Sequence, residues 1–187
     1  MKIISFSANK AGFACAVATS VKKYSEKINL SDYYLSQKLD GVRCLIQIKK
    51  PENKVTVYSR NGKELFSMNK IVEAIPLDKI KSSVFLDGET VYIDPKTGLE
   101  DFTKTISIVR SSKISKDNKD LYYKIFDIIP EKEFYAVEGK SIFSDRLKIL
   151  NETFKGNKRI KIVEQVPYSE KKFAEMQDEV KEKGWEG

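Results

Sequence analysis

The amino-acid sequence predicts one α+β domain in which largely antiparallel β-sheets are flanked by a few helices. Most apolar segments are short, rich in β-branched and aromatic residues and bounded by turn signals, which is typical of strands joined by hairpins. A smaller number of segments repeat apolar residues at helical spacing. The length of 187 residues favours a single domain that can bury a real core.

Six segments are predicted to be strands. They are residues 33–38, 43–48, 55–58, 84–93, 121–129 and 160–166. The turn signal Pro51-Glu52-Asn53 makes the second and third strands a hairpin, and Asn61-Gly62 marks another tight turn. The opening stretch up to Leu30 has no clear pattern.

Three segments are predicted to be helices, because their apolar residues recur three or four positions apart. The apolar positions are Phe102, Ile106 and Val109 in the first helix, Leu147, Leu150 and Phe154 in the second, and Phe173, Met176 and Val180 in the third. Ser144 and Ser169 are predicted to cap the second and third helices, and Gly184 to end the third. The lysine-rich stretch, residues 111–119, is predicted to be a mobile, solvated loop rather than a dedicated DNA site.

The composition excludes several classes of site. The chain has no histidine, so catalysis by a histidine base or a Ser-His-Asp triad is excluded. Two cysteines give neither a disulfide framework nor a zinc site, and indicate a reduced, intracellular setting rather than a secreted protein. No apolar run is long enough to span a membrane, so no membrane partner is expected. The net charge of +7 favours polyanionic partners such as nucleic acid or nucleotide phosphates.

One short segment carries the strongest chemical signal. Residues 38–43 read Lys-Leu-Asp-Gly-Val-Arg, with a lysine at the end of one predicted strand and an arginine at the start of the next. Taken alone, the segment also fits an ordinary charged hairpin with a favoured Asp-Gly turn.

The order of the other segments favours a functional interpretation. Residues 38–43 resemble the nucleotidyl-acceptor motif K-x-D-G-x-R of DNA ligases, RNA ligases and messenger-RNA capping enzymes. Later motifs of that superfamily are resembled, in the same order, by residues 59–64, 85–89, 123–128 and 186–187. The resemblance runs from Tyr33 to the C-terminus and is greatest to compact viral or bacteriophage ATP-dependent DNA ligases. It implies an ATP-grasp-like nucleotidyltransferase fold.

This resemblance also implies the site residues. Lys38 would be the catalytic nucleophile that takes up AMP from ATP, since a lysine amine can form a covalent intermediate. The residues implied to bind the nucleotide are Gln37, Lys38, Arg43, Arg60, Glu89 and Phe126. Phe126 would stack on adenine, although core packing explains a strand phenylalanine equally well. Glu89 would accept a hydrogen bond from a ribose hydroxyl or hold a metal ion. Glu186 would face that metal ion, which is expected to be Mg²⁺. Asp40 would orient its neighbours or serve only as the turn residue.

The implied activity is DNA nick sealing in repair, replication and recombination, in the cytoplasm of a bacterial or virus-infected cell. The expected partners are ATP and nicked double-stranded DNA. Residues 1–187 would form a partial adenylation domain without its last strand, which carries paired lysines, and without the OB-fold domain. The chain alone would then be impaired, and a C-terminal fragment would supply the rest.

Two alternatives remain open from the sequence. The lysine motif is shared, so the chain also fits an RNA ligase or a GTP-dependent capping guanylyltransferase. A non-catalytic remnant that retains a nucleotide cleft is the third reading. An NAD-dependent ligase fits less well, since no nicotinamide-recognising domain precedes the lysine motif.

Overall fold

The computed structural model describes residues 2–8, 14–20, 29–136, 139–185 and 187, with the first two ranges described by their backbone alone. The strands are β1 (Lys2–Ala8), β2 (Ala14–Ser20), β3 (Tyr34–Leu35), β4 (Val42–Lys49), β5 (Lys54–Ser59), β6 (Val84–Tyr92), β7 (Leu121–Pro130), β8 (Ile160–Ile162) and β9 (Val166–Pro167). The helices are α1 (Asn69–Val72), α2 (Phe102–Val109), α3 (Glu131–Ala136), α4 (Phe143–Phe154) and α5 (Glu170–Lys183), with 3-10 helices at Leu30–Asp32 and Lys116–Asp120. The predicted α+β class is confirmed.

A five-stranded sheet forms the centre of the molecule, in the order β5-β4-β6-β7-β8. Its pairs are antiparallel except for β8, which runs parallel to β7. Two small antiparallel sheets pair β1 with β2 and β3 with β9. The sheets are therefore largely antiparallel, as predicted.

The strands differ from the sequence analysis in three places, one that it left unassigned and two that it predicted wrongly. The opening stretch without a pattern contains the β1–β2 hairpin. Residues 33–38 form only the two-residue β3, because their partner β9 is equally short. Residues 160–166 do not make one strand; β8 joins the central sheet and β9 the small one.

One face of the central sheet carries the main core. The side chains of Ile46, Leu86 and Ile125 point to this face by the period of two and are fully buried. Residues of α1, α2 and α4 pack in the same apolar cluster. Each such side chain contributes about 1.5–3 kcal/mol by leaving water, so this face supplies most of the apolar stabilisation. A smaller cluster of Leu45, Phe85 and Phe134 lies on the opposite face.

The helix ends follow side-chain chemistry where a capping residue is present. Ser169 accepts from the backbone N–H of Lys172 and caps α5, and Gly184 ends it with φ 63°, both as predicted. The cap predicted at Ser144 is wrong, because α4 begins after Ile142 with no side-chain cap.

The packed side of α2 also differs from the prediction. The N–H of Tyr92 in β6 donates to the Thr105 hydroxyl at 2.8 Å, and this bond turns Thr105, Ile108 and Val109 inward. Phe102 is left exposed. Among the described residues, no helix has the length and apolar character needed to cross a membrane.

Candidate active site

Charged side chains meet on the other face of the sheet, at the end where β4 begins. The strand register pairs Arg43 of β4 with Glu89 of β6, and Glu89 with Lys124 of β7. Directly opposed residues of antiparallel strands point to the same face, so the three side chains form one row. Lys124 also forms an ion pair with Glu100, which lies in the hairpin after β6.

Lys38 lies next to this row, in the irregular stretch between β3 and β4. Its side chain is half-buried. Its backbone N–H donates to the carbonyl of Gly187 at 2.5 Å, so the two segments lie side by side. The charge of Lys38 acts on the carboxylate of Glu89. The chain thus brings the predicted nucleophile and Glu89 together although they lie 51 positions apart in the sequence.

Glu89 is a half-buried carboxylate among cations. Burial raises its pKa above the ordinary 4.5, while the N–H of Gly41, Arg43 and Lys38 act in the opposite direction. A carboxylate in such a position is suited to accept hydrogen bonds from a polar ligand or to share a cation.

Arg43 is held by a buried carboxylate. Its Nε and Nη2 donate to the two oxygens of Asp87 at 2.9 and 2.6 Å, a bidentate arrangement. The side chain of Asp87 is only 4% exposed. Burial raises the pKa of Asp87, and Arg43 opposes this rise. Arg43 is therefore fixed in orientation, with its guanidinium carbon 5.1 Å from the centre of the Phe126 ring.

Phe126 reaches this site because β7 contains a bulge. Asp127 pairs with Asp87, but Ile125 pairs with Gly88, so Phe126 is the extra residue between two consecutive positions of β6. A bulge of this kind re-aims one side chain relative to the regular alternation. The carbonyl of Phe126 accepts from the Gln165 side chain at 2.8 Å. Phe126 is half-buried and lies outside both core clusters.

A second arginine supports the bulge from the other side. Arg146 of α4 donates from Nε and Nη2 to the oxygens of Asp127 at 2.8 and 3.0 Å. Its Nη1 donates to the Ser141 carbonyl at 2.5 Å. Phe126 is therefore followed directly in the chain by an anchored residue, which limits how far its backbone can move.

The glycines next to the site are required by close approach. A Cβ at Gly41 would lie 2.5 Å from the Thr90 carbonyl oxygen, and one at Gly88 would lie 2.6 Å from the Tyr123 ring. Gly41 was expected to permit the turn after Lys38. The contact with β6 is an additional constraint, because a side chain there would collide with the Thr90 carbonyl and the Glu89 side chain.

The remaining predicted residues lie at different distances from this centre. Gln37 lines a cavity of about 170 Å³ together with Leu39 and Trp185. Arg60 is exposed and follows Ser59, which pairs with Cys44, so it lies at the same end of the sheet as Arg43. Glu186 lies outside the described residues. The structure thus groups Lys38, Arg43, Glu89 and Phe126, with Gln37 beside them and Arg60 at the margin.

Sequence reasoning assigned no role to several residues that shape the site. They are Asp87, Lys124, Asp127 and Arg146. Asp87 and Asp127 both lie within the motif segments, which are predicted strands. A carboxylate buried in a strand needs a cationic partner, and this requirement was the one sequence clue to their ion pairs. The identity of each partner depends on strand register and on helix packing, which no local pattern reveals.

Glu89 is a carboxylate of the site that could help to hold a metal ion. Among the described residues there is no group of three or more His, Cys, Asp or Glu side chains that could hold a metal. Magnesium is commonly bound by one or two carboxylates together with substrate phosphates and water. The half-buried Glu89, whose charge is disfavoured by burial, fits such a shared site.

Comparison with known proteins agrees with this geometry. Residues 13–187 match the family model described as the ATP dependent DNA ligase domain. No curated protein sequence matches the chain significantly.

Three solved structures have a similar fold. "Pmar-Lig_Pre." aligns with a TM-score of 0.70 at 22% identity, over 90% of this chain and 40% of that one. A structure from an analysis of Lig E DNA ligases aligns with a TM-score of 0.59 at 26% identity, over 87% and 56% of the two chains. The ATP-dependent DNA ligase of bacteriophage T7 in complex with ATP aligns with a TM-score of 0.54 at 19% identity, over 83% and 55%. This chain therefore spans roughly half the length of these proteins or less. Because the family model covers most of its length, the chain belongs to the ATP dependent DNA ligase domain family.

Proposed function

We propose that the chain is the adenylation domain of an ATP-dependent DNA ligase and that Lys38 forms the covalent intermediate. The observation that carries the proposal is the convergence of Lys38, Arg43, Glu89 and Phe126 at one end of one sheet face. They are four of the residues that the motifs single out, and they come from three separate parts of the chain.

The first step is nucleotidyl transfer to Lys38. The neutral amine attacks the α-phosphate of ATP, a phosphorus–nitrogen bond forms, and the bond to the departing pyrophosphate breaks. Phe126 stacks on the adenine, and Arg43 binds the ribose or a phosphate oxygen. Glu89 accepts a hydrogen bond from a ribose hydroxyl or binds the metal together with the phosphates. Gln37 and Arg60 complete the nucleotide contacts.

Magnesium, held by Glu89 and Glu186 with the phosphates, would stabilise negative charge on the transferring group. The chain's own contribution is orientation. Arg43 is fixed by Asp87 and the Phe126 bulge by Arg146, so neither has to be ordered when ATP binds.

The later steps concern DNA. The adenylate passes from Lys38 to the 5′-phosphate at a nick, and Lys38 regains its amine. The 3′-hydroxyl then attacks that phosphate, which joins the strands and releases AMP. A DNA acceptor is favoured over RNA because the family model is that of DNA ligases.

The direct test is intact mass after incubation with ATP and Mg²⁺. We expect a gain of one AMP, low in the chain alone and higher once the expected C-terminal fragment is added. In both cases there should be no gain with Lys38→Ala and an unchanged gain with Lys49→Ala, an exposed lysine at the far end of β4. Labelling from GTP and not ATP would contradict the ATP assignment, and an adduct that survives in Lys38→Ala would contradict the nucleophile. Mixing the adenylylated chain with a nicked duplex should move the AMP label to the 5′-phosphate, whereas a nicked RNA should receive less.

A further inference from the structure

The backbone of the predicted nucleophile lies against the segment that follows α5. The N–H of Lys38 donates to the Gly187 carbonyl at 2.5 Å, and a Cβ at Gly187 would lie 3.5 Å from the Lys38 Cβ. Residues 38 and 187 are therefore in direct contact. Whatever fixes the residues just before Gly187 also fixes the point from which the Lys38 side chain reaches the cleft.

Trp185 lies two residues earlier, beside the neighbours of Lys38. Its half-buried side chain lines the cavity of about 170 Å³ together with Gln37 and Leu39, which flank Lys38 in the chain. Leu39 is itself buried, with only 8% of its surface exposed. Trp185 and Gly187 thus lie along the same three-residue segment, one with its side chain and the other with its backbone.

The end of α5 sets the orientation of Trp185. The backbone N–H of Trp185 donates to the Val180 carbonyl at 3.0 Å, after Gly184 has ended the helix with φ 63°. The ammonium of Lys183 lies 4.4 Å from the centre of the indole ring, which is a cation–π contact. Lys183 also forms an ion pair with Glu179. The indole ring is therefore held through its backbone and over one of its faces.

The helix α5 is a suitable support because its own residues stabilise its ends and its surface. Ser169 caps its first turn and Gly184 ends it. Among the described residues, three ion pairs join positions three or four apart on the helix, namely Lys172–Glu175, Lys181–Asp178 and Lys183–Glu179. None of its 14 residues is buried. Trp185 is the large side chain that extends this support to the lysine segment.

We propose that Trp185 is a positioning residue for Lys38. It holds residues 37–39 against residues 185–187, and the Lys38 amine therefore starts each reaction from one place in the site. Trp185 acts through Lys38 and not on the nucleotide. The inference rests on the proposed function and adds the means by which the nucleophile is aligned.

Such a role predicts a loss of rate rather than of affinity. A nucleophile displaced by about 1 Å can react about a hundredfold more slowly while the contacts that bind the substrate stay intact. Nucleotide binding is assigned to residues such as Arg43 and Phe126, which are anchored by other partners. Loss of Trp185 should therefore lower the maximal rate of adenylylation and leave the half-saturating ATP concentration nearly unchanged.

The first test truncates the indole ring. Lys38 adenylylation is followed by intact mass in single turnovers over a series of ATP concentrations, with the expected C-terminal fragment present. Trp185→Ala should lower the maximal rate about tenfold and change the half-saturating ATP concentration by less than about twofold. Trp185→Phe keeps an aromatic ring and should recover most of the rate. The positioning role is overturned by an unchanged maximal rate, or by a change in the half-saturating ATP concentration as large as the change in rate.

The second test removes the support of the ring and leaves Trp185 in place. Lys183→Ala takes away the ammonium over the indole and should lower the maximal rate about threefold. The matched control is Lys181→Ala, which breaks an equivalent pair with Asp178 on the same helix and should react as the unaltered chain does. Both lysines are exposed, so thermal unfolding should show intact folds. Equal rates for the two variants would overturn the proposal.

A spectroscopic measurement separates this proposal from the proposed function. Trp185 is the only tryptophan of the chain, so tryptophan emission reports on this position alone. Acrylamide should quench the emission less in the folded chain than in the urea-unfolded chain, and more in Lys183→Ala than in Lys181→Ala. Equal quenching of the folded and unfolded chains would overturn the positioning role even if Lys38 forms its adenylate. A shielded Trp185 in a chain that forms no adenylate, with the fragment present, would instead overturn the proposed function.

Discussion

The two faces of the central sheet are built on opposite principles. On the core face, apolar residues such as Ile46, Leu86 and Ile125 meet helices and are fully buried. On the site face, the same strands carry Arg43, Asp87 and Glu89. One strand therefore serves stability with one set of alternate residues and the candidate chemistry with the other.

The difference shows that the site face holds charged groups in positions that are unfavourable for folding. Burial raises the pKa of both Asp87 and Glu89, so each is held in a position that disfavours its charge. Apolar residues of similar size would be expected to stabilise this face better. Charged residues at these positions are therefore explained by function, as is common where a site departs from the rules of packing.

The largest effect is expected from breaking the buried ion pair on the site face. Arg43→Ala leaves the Asp87 carboxylate buried beside Asp127 without its bidentate partner, and should lower the free energy of unfolding by about 3–5 kcal/mol. Urea unfolding measures the change. Lys172→Ala is the control, because it breaks an exposed pair with Glu175 and should have little measurable effect. Equal stability of the two variants would show that the site face carries no such strain.

A smaller loss of stability is expected from a side chain at Gly88, where β6 and β7 lie close together. A Cβ there would lie 2.6 Å from the Tyr123 ring and 2.7 Å from the Lys124 carbonyl oxygen. Gly88→Ala should therefore destabilise the fold by about 1–3 kcal/mol through overpacking. Gly139→Ala has open space around its Cβ and provides the control in thermal unfolding. A Gly88→Ala protein as stable as the control would mean that β6 and β7 can separate freely.

The core face was predictable from sequence to a larger extent than the site face. Alternation and turn signals located β4, β5, β6 and β7, because those patterns reflect burial on one side of each strand. The β1–β2 hairpin and the split between β8 and β9 were missed, because short strands depend on their partners more than on their own residues.

The site face was predictable only as a set of residues. Motif order singled out Lys38, Arg43, Glu89 and Phe126, and the structure brings these together, while their roles stay predictions. The pairing of Arg43 with Asp87 could not be foreseen, nor could the bulge at Phe126. Both depend on the register between β6 and its neighbours, which tertiary pairing sets.

The support of the Phe126 bulge gives a third, more specific test. Arg146→Ala frees Asp127 and should raise the ATP concentration for half-maximal Lys38 adenylylation about tenfold, since a loosened ring stacks less well. The maximal rate should fall less, and Arg146→Lys should restore part of the affinity. Arg159→Ala is the control, because Arg159 binds backbone carbonyls and lies over Tyr122 instead. An equal rise in the half-saturating ATP concentration for both variants would indicate a general loss of stability.

The smallest effect is the free energy lost when Glu89 ionises in its half-buried position. It can be measured from the pH dependence of stability. The folded pKa of Glu89 lies above the ordinary 4.5, so in that interval the folded chain holds the proton that the unfolded chain has lost. Stability of the unaltered protein therefore falls as pH rises from 4.5 through the raised pKa, and this contribution is absent in Glu89→Gln. The stability of Glu89→Gln relative to the unaltered chain should then increase with pH across this window and level off above it, as measured by urea unfolding at a series of pH values.

Glu133 provides a control of opposite sign for the same measurement. The Ser141 hydroxyl and, to a smaller extent, the Ser141 N–H donate hydrogen bonds to Glu133. These bonds lower the pKa of Glu133 below 4.5. Its stabilising contribution is present above the ordinary value and is lost as pH falls through the lowered pKa. Glu133→Gln should thus lose stability relative to the unaltered chain as pH rises, while Glu89→Gln gains it. Both variants could instead lose stability relative to the unaltered chain as pH rises. Glu89 would then behave as a paired structural carboxylate, and the view that its position on the site face disfavours its charge would be wrong.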